Sequence, residues 1–391
     1  MGRLILRGGR IVTGDEDISH GYVVVKDEKI SAVYSGSPSS EADEMINLTP
    51  GSIVIPGMID THLHGSDGFD VMDGTIAAVR SIARSLPKEG TTSFLPTTLT
   101  GSTESLVQAL HASANVCEAP ENGEAEALGI HLEGPFIEPL KRGAQPESAI
   151  QKPDVELYQR LSDASKQWIK IMTLAPELDK DQQLLKALNH AGVTVSAGHT
   201  NANYREMASL LSTYVHQVTH MYNAMSGLEH RTPGAAAAVL AHGKAAMEII
   251  PDGVHVHSDM LHFTWKLAGA DRLIAVTDAI RLKGVNQTFG ELGGQPVTLD
   301  GGGCYLSDGT LAGSVLTMDR ALNNLLAFTG CSLLEAVKMT AVNPAVAAKA
   351  TNRKGTITPG KDADIVVLTQ DLEVAATFVR GELVYEKTPL K

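Results

Sequence analysis

The sequence predicts an α/β protein: a (β/α)8 barrel of the TIM type, with a small β-sandwich domain formed by both chain termini. Three observations lead there. Both ends of the chain alternate like short β-strands, eight apolar runs alternate with helical segments between those ends, and 391 residues exceed what one ordinary core absorbs. The division that follows is a sandwich part at 1–55, the barrel at 56–355 and a second sandwich part at 356–391.

The N-terminal strands are Leu4-Ile5-Leu6, Arg10-Ile11-Val12, Tyr22-Val23-Val24-Val25 and Ile30-Ser31-Ala32-Val33, separated by Gly, Asp and Ser turns. Their C-terminal counterparts lie at 365–368, 376–379 and 383–385. The barrel strands are expected at 53–62, 92–97, 127–133, 169–174, 193–199, 216–220, 246–250 and 273–278. Eight such runs with helical spacers is the count of a closed parallel barrel. A Gly-rich section at 290–309 reads as a hairpin or lid, and amphipathic helices follow around 317–329 and 332–342.

A content of 43% hydrophobic and 20% charged residues is that of a globular soluble chain. The formal net charge of −13 argues against nucleic acid or an anionic membrane as partner. It leaves room for an anionic small substrate, because a few cations and backbone N–H groups can hold a phosphate locally. No targeting segment and no apolar run of membrane-spanning length is present, so a cytoplasmic protein is expected. Cys117, Cys304 and Cys331 are scattered and odd in number, which indicates neither a disulfide framework nor a zinc ribbon.

The chain is organised around Pro56-Gly57-Met58-Ile59-Asp60-Thr61-His62-Leu63-His64-Gly65, led in by Ile53, Val54 and Ile55 and read as one buried strand ending at Gly65. Strand alternation points His62 and His64 the same way, and two neutral imidazoles at a strand end make half of a divalent-metal site. In such a barrel the working residues sit at the C-terminal strand ends. Glu133 ends strand three, His199 strand five, His220 strand six and Asp278 strand eight. Each alone reads equally well as a cap or a solvated loop residue. Six metal-suited residues at one end of five strands read as a metal centre. His131 shares a strand face with Glu133 and is expected below the metal, and His255 follows strand seven. The other histidines fall in loops, helices or off-end positions.

Several stretches then carry a resemblance: His131-Leu132-Glu133-Gly134-Pro135-Phe136, Ala197-Gly198-His199-Thr200, His220-Met221-Tyr222-Asn223-Ala224-Met225, Asp252-Gly253-Val254-His255, Val276-Thr277-Asp278-Ala279 and 355–364. Over essentially its whole length the chain resembles the amidohydrolase superfamily, and within it the deacetylases of N-acetylglucosamine 6-phosphate. The resemblance implies a barrel with a terminal β-sandwich, metal ligands at Glu133, His199 and His220, and a catalytic carboxylate at Asp278. It implies substrate contacts at Ala144, Gln145, Asn223, Ala224, Arg231, Asp252, Gly253, Val254, His255, Leu311, Ala312 and Gly313. Some members lack the His-x-His; this chain keeps His62 and His64, which implies a second metal bridged by Glu133. Some carry His where this chain has Gln145.

The expected reaction is metal-assisted hydrolysis of the substrate's acetamide. Asp278 is expected to shuttle the proton, Gln145 to share the developing oxyanion with the metal, and Arg231 and His255 to hold the phosphate with backbone N–H groups at Asn223-Ala224. Zn and Fe lead the expected metals, with Mn and Co also suited to His and carboxylate ligands. The partners expected are a small amino-sugar phosphate and, by resemblance, a second copy in a homodimer. Two rivals stand beside this reading. A nucleobase deaminase or cyclic-amide hydrolase is one, but many cyclic-amide relatives use a carboxylated lysine at the end of strand four, and Thr173 to Glu177 contains no lysine. A barrel that has lost its metal and serves as a binding module is the other, and the complete ligand set speaks against it.

Overall fold

A computed structural model describes residues 3–37, 44–387 and 390. Its centre is a ring of eight parallel strands, Met58–Leu63, Thr91–Thr98, Ile130–Glu133, Ile169–Leu174, Thr194–Ala197, Val215–Val218, Ala246–Ile249 and Leu273–Ala275, each bonded to the next. Strands covered on both faces read as continuous apolar runs, which is why they were legible. The ring closes just past the last strand. There Asp278 donates its backbone N–H to His62 O, and His64 donates to Ala279 O, both at 2.9 Å.

The outer helices start where short polar side chains satisfy the first free N–H groups. Thr75 caps Ile76–Ser85, Ser102 caps Thr103–Glu118, and Asp154 caps Val155–Ala164. Asn203 and Glu206 form a reciprocal box at Tyr204–Leu211. The helices expected after the lid are Met318–Thr329 and Leu333–Val337, the second continuing through Lys338–Val342 into Asn343–Ala347.

The run 53–62 is two strands. Ile53–Pro56 pairs antiparallel with Ile365–Leu368 in the terminal sheet, and Met58–Leu63 begins the barrel. Gly57 is the joint, and a Cβ there would meet Thr92 Oγ1 at 2.0 Å. Only glycine lets the two layers approach so closely. Nor does the strand run on to Gly65, which starts a short ribbon with Phe69–Asp70.

Strands from both ends of the chain join in one eight-stranded mixed sheet beside the barrel. Leu6, Ile11, Val23, Val54, Ile365 and Phe378 share its core, so the two layers expected of a sandwich are the arms of one ladder. Lys354 fastens this sheet to the barrel. Its side chain is 1% exposed and lies 2.8 Å from Glu126, 3.0 Å from Asp362 and 2.7 Å from Asp364.

The Gly-rich section forms a three-stranded antiparallel sheet, Phe289–Leu292, Gln295–Asp300 and Gly303–Tyr305, packed on Leu99, Ile280 and Ala312. Gln295 Nε2 donates to Ala144 O at 2.7 Å, tying it to the barrel mouth. The three cysteines are buried and free. Among the described residues no helix is long and apolar enough to cross a membrane.

Candidate metal centre

Strand alternation brings His62 and His64 to one face, with their Nε2 atoms 3.3 Å apart. Glu133 reaches from strand three into the middle of the ring. Its Oε1 lies 3.3 Å from His199 Nε2 and from His220 Nε2 and 3.5 Å from His62 Nε2, while Oε2 lies 3.5 Å from His64 Nε2. Asp278 Oδ1 is 3.2 Å from His64 Nε2 and 3.5 Å from His62 Nε2. All six side chains are buried. Among these six, two groups of potential ligands result, Glu133 with His199 and His220, and His62 with His64 and Asp278; His62 also falls in a third, deeper group with His131 and Glu248.

Three of these residues hold a left-handed backbone just past their strands: His199 at φ 48°, His220 at φ 28° and Asp278 at φ 49°. Non-glycine residues take that conformation at a cost of about 1–3 kcal/mol, and it turns each side chain inward rather than on along the strand.

The donor set fits a cation, and the tautomers show why. His64 Nδ1 faces Thr97 O at 3.2 Å and His199 Nδ1 faces Lys141 O at 2.9 Å. Carbonyl oxygens only accept, so each Nδ1 carries the hydrogen and each Nε2 is left with a lone pair. Those lone pairs point at carboxylate oxygens and at one another, His199 Nε2 and His220 Nε2 being 3.1 Å apart. At His64 and His199 acceptor therefore faces acceptor, which a cation or a shared proton relieves; the His220 Nδ1 has no partner to fix its tautomer.

The electrostatics show the same demand for positive charge, which a proton can meet as well as a cation. Burial pushes the Glu133 carboxyl up, but the field of His62 and bonds from His199 and His220 overcome it and hold the group well below its ordinary value. Asp278 is lowered against its burial by His62 and His64. The two histidines of strand one differ: burial takes His62 down to about 4, while Asp278 and Glu133 outweigh burial at His64 and raise it to about 9.

Beneath the ligands lies a layer that sequence reasoning missed in part. Glu248, fully buried in strand seven, sets Oε2 3.0 Å from His62 Nδ1 and accepts from Gln217 Nε2 at 2.8 Å. The available signal was one charge inside the apolar run 246–250. His131 does lie below the metal residues, its Nδ1 on Thr61 O at 2.9 Å and its Nε2 on Thr173 Oγ1 at 2.7 Å.

Above them is a cavity of about 170 Å³. His64, Glu133, His199, His220 and Asp278 form its floor, and Ala144, Gln145, Asn223, Ala224, His255, Leu311 and Gly313 line it. Leu99, Gly143, Leu292 and Thr310 line it too and were not singled out from the sequence. Gln145 donates to Glu133 and accepts the Thr100 N–H at 2.7 Å, which leaves one amide hydrogen for the cavity. Asp252 stands behind the wall, taking the N–H groups of Val254 and His255 and the His255 Nδ1 at 2.6 Å. Gly253, Val254 and Ala312 do not line the cavity. Arg231 is exposed on the loop after strand six and does not reach it either. The Asn223 N–H is committed to His220 O at 3.0 Å. A larger open depression of about 660 Å³, sharing Leu99, holds none of the metal-suited groups, so the chemistry belongs to the smaller cavity.

Comparison with known proteins points the same way. The pattern of the amidohydrolase family matches residues 53–384. The chain is 40% identical over 385 residues to an N-acetylglucosamine-6-phosphate deacetylase of Bacillus subtilis (strain 168), covering 98% of this chain and 97% of that one. It is 31% identical to an N-acetylgalactosamine-6-phosphate deacetylase of Escherichia coli O157:H7, covering 97% and 98%. Among solved structures, an N-acetyl-D-glucosamine-6-phosphate deacetylase variant of Mycobacterium smegmatis, in complex with N-acetyl-D-glucosamine-6-phosphate, superposes with a TM-score of 0.92. The two are 29% identical over 98% of this chain and 100% of that one.

Proposed function

The chain belongs to the amidohydrolase family, among its N-acetylglucosamine-6-phosphate deacetylases, and we propose that it hydrolyses the acetamide of N-acetyl-D-glucosamine 6-phosphate to D-glucosamine 6-phosphate and acetate in amino-sugar catabolism and recycling. The observation that carries this is the ring of imidazole lone pairs around Glu133 and Asp278, at the floor of a cavity sized for a small ligand.

In this proposal Glu133, His199 and His220 would hold one divalent ion, and His62, His64 and Asp278 would hold a second. Zn or Fe suits both sites. When bound, such ions polarise the amide carbonyl and lower the pKa of water toward about 7. Asp278 takes the proton of the attacking water and returns it to the amine as the tetrahedral intermediate collapses. The spare N–H of Gln145 is directed at the oxyanion, and its other bond keeps Glu133 in place. His255, braced by Asp252, addresses the phosphate. Arg231 reaches a phosphate only across a subunit boundary, in the homodimer we include in the proposal. A cytoplasmic location is part of the same proposal.

Acetate release from N-acetylglucosamine 6-phosphate, N-acetylgalactosamine 6-phosphate and unphosphorylated N-acetylglucosamine tests the reading. Two charge-assisted phosphate contacts are worth about 3–6 kcal/mol, so kcat/KM for the plain sugar should be roughly 10²–10⁴-fold lower. Equal values for the first and third sugars would refute the phosphate preference, and preference for the second would move the assignment to the galactose epimer.

A further inference from the structure

From the bonds that converge on Glu248, we infer that this residue creates the second ion site by fixing the tautomer of His62. The inference rests on the two-ion reading above and concerns a residue that touches neither substrate nor ion. Both carboxylate oxygens are committed: Oε2 to His62 Nδ1 at 3.0 Å and Oε1 to Gln217 Nε2 at 2.8 Å. His131 Nδ1 lies 4.0 Å from Oε1 but gives its hydrogen to Thr61 O at 2.9 Å, so it does not compete for the carboxylate.

His62 stands apart from the ligands whose anchors are visible. His64 and His199 are oriented by backbone carbonyls, Thr97 O and Lys141 O, which any sequence would supply. His62 is oriented by a side chain, and that side chain is a carboxyl group with no solvent contact, its pKa pushed up to about 7 by burial. A buried carboxylate is costly unless hydrogen bonds and a nearby positive charge compensate it. From Glu248 a path runs through the His62 ring, Nδ1 to Nε2, into the space bounded by His64 and Asp278. A carboxylate on the far nitrogen holds the hydrogen at Nδ1, leaves the Nε2 lone pair free and raises its basicity. Glu248 is therefore a positioning residue for one ion: its carboxyl also takes the His220 backbone N–H but has no bond to the His199 or His220 ring, and those rings serve the other ion.

The test counts ions. Metal-free protein is titrated with Co²⁺, followed by calorimetry and by the visible absorption of the bound ion, for wild type, Glu248→Gln and Glu248→Leu. Wild type should take two ions. Glu248→Leu, which removes the acceptor, should bind the first ion as wild type does and the second about 10–100-fold more weakly. Glu248→Gln should recover part of that loss, because its amide oxygen still accepts from Nδ1 and Gln217 can turn to receive its NH2. Retention of the first ion shows that a variant is folded. Equal second-ion affinity in wild type and Glu248→Leu would overturn the inference, as would equal weakening of both ions. A single ion in wild type would instead bring down the two-ion reading itself.

Discussion

Gln145 and Glu133 are joined by a hydrogen bond across the floor of the cavity, and Gln145 is itself anchored by the Thr100 N–H at 2.7 Å. A neutral amide thus orients the carboxylate that lies between two pairs of histidines. A hydrogen bond to a charged group is worth about 1.5–3 kcal/mol, so Gln145→Ala should lower kcat by roughly 10–10²-fold. Metal content should stay unchanged. Steady-state kinetics beside metal analysis checks both, and an unchanged kcat would remove Gln145 from the machinery.

His62 and His64 meet at 3.3 Å and address Asp278 together. Protein from metal-replete medium should hold close to two divalent ions per chain. The double replacement of both histidines by Gln should leave about one, measured by elemental analysis, because Glu133, His199 and His220 form a complete group without them.

Asp278 holds its position through a left-handed backbone and faces the cavity. Asp278→Asn preserves the shape and removes the base. General-base catalysis supplies roughly 10²–10⁴-fold, so kcat should fall at least that far while substrate binding, followed by calorimetry, survives. A variant keeping a tenth of the activity would refute the proton shuttle.

His255 lines the cavity and Arg231 does not. His255→Ala should therefore lower kcat/KM for the phosphorylated sugar about 10–10²-fold and leave the plain sugar nearly untouched. In the proposed homodimer Arg231→Ala should lower kcat/KM for the phosphorylated sugar to a similar extent, and sedimentation of the active species should show a dimer; no loss would remove Arg231 from the phosphate site.

Lys354 carries three carboxylates on one buried ammonium. Burial lowers its pKa, but Asp364, Glu126 and Asp362 more than reverse that, and the group titrates above its ordinary value. The stabilisation is therefore complete below the unfolded lysine value of about 10.4 and is lost only as pH climbs beyond it toward the raised folded value. Lys354→Met takes the ammonium from buried Asp364, while Arg353 still pairs Glu126 and Asp362, and should cost about 3–5 kcal/mol. Urea unfolding should show that difference as constant between about pH 6 and 9, narrowing only in strong alkali.

The residues proposed as ligands were legible as a cluster because each ends an apolar run, and barrel geometry converts strand ends into neighbours. Glu248 was not singled out because its role depends on which strand it faces, and nothing local to 246–250 says that His62 lies opposite. The joint at Gly57 escaped for a similar reason. Ile53 to Ile59 is one apolar stretch by composition, and only the bonding partners, Ile365–Leu368 on one side and Thr91–Thr98 on the other, divide it. Arg231 follows strand six as expected, but the loop carries it outward, and a loop's direction is set by packing rather than by pattern.

The pairing of Ile53–Pro56 with Ile365–Leu368 also sets an order of events at the ribosome. The earlier strand emerges about 300 residues before the strand it bonds to, which at roughly 5–20 residues per second is a wait of about 15–60 s. Through that interval Ile53, Val54 and Ile55 present an unpaired edge one glycine away from the strand that carries His62 and His64. The terminal sheet therefore completes its register only when the last strands arrive, whereas the barrel strand beside it pairs with Thr91–Thr98 and closes on Asp278 without them.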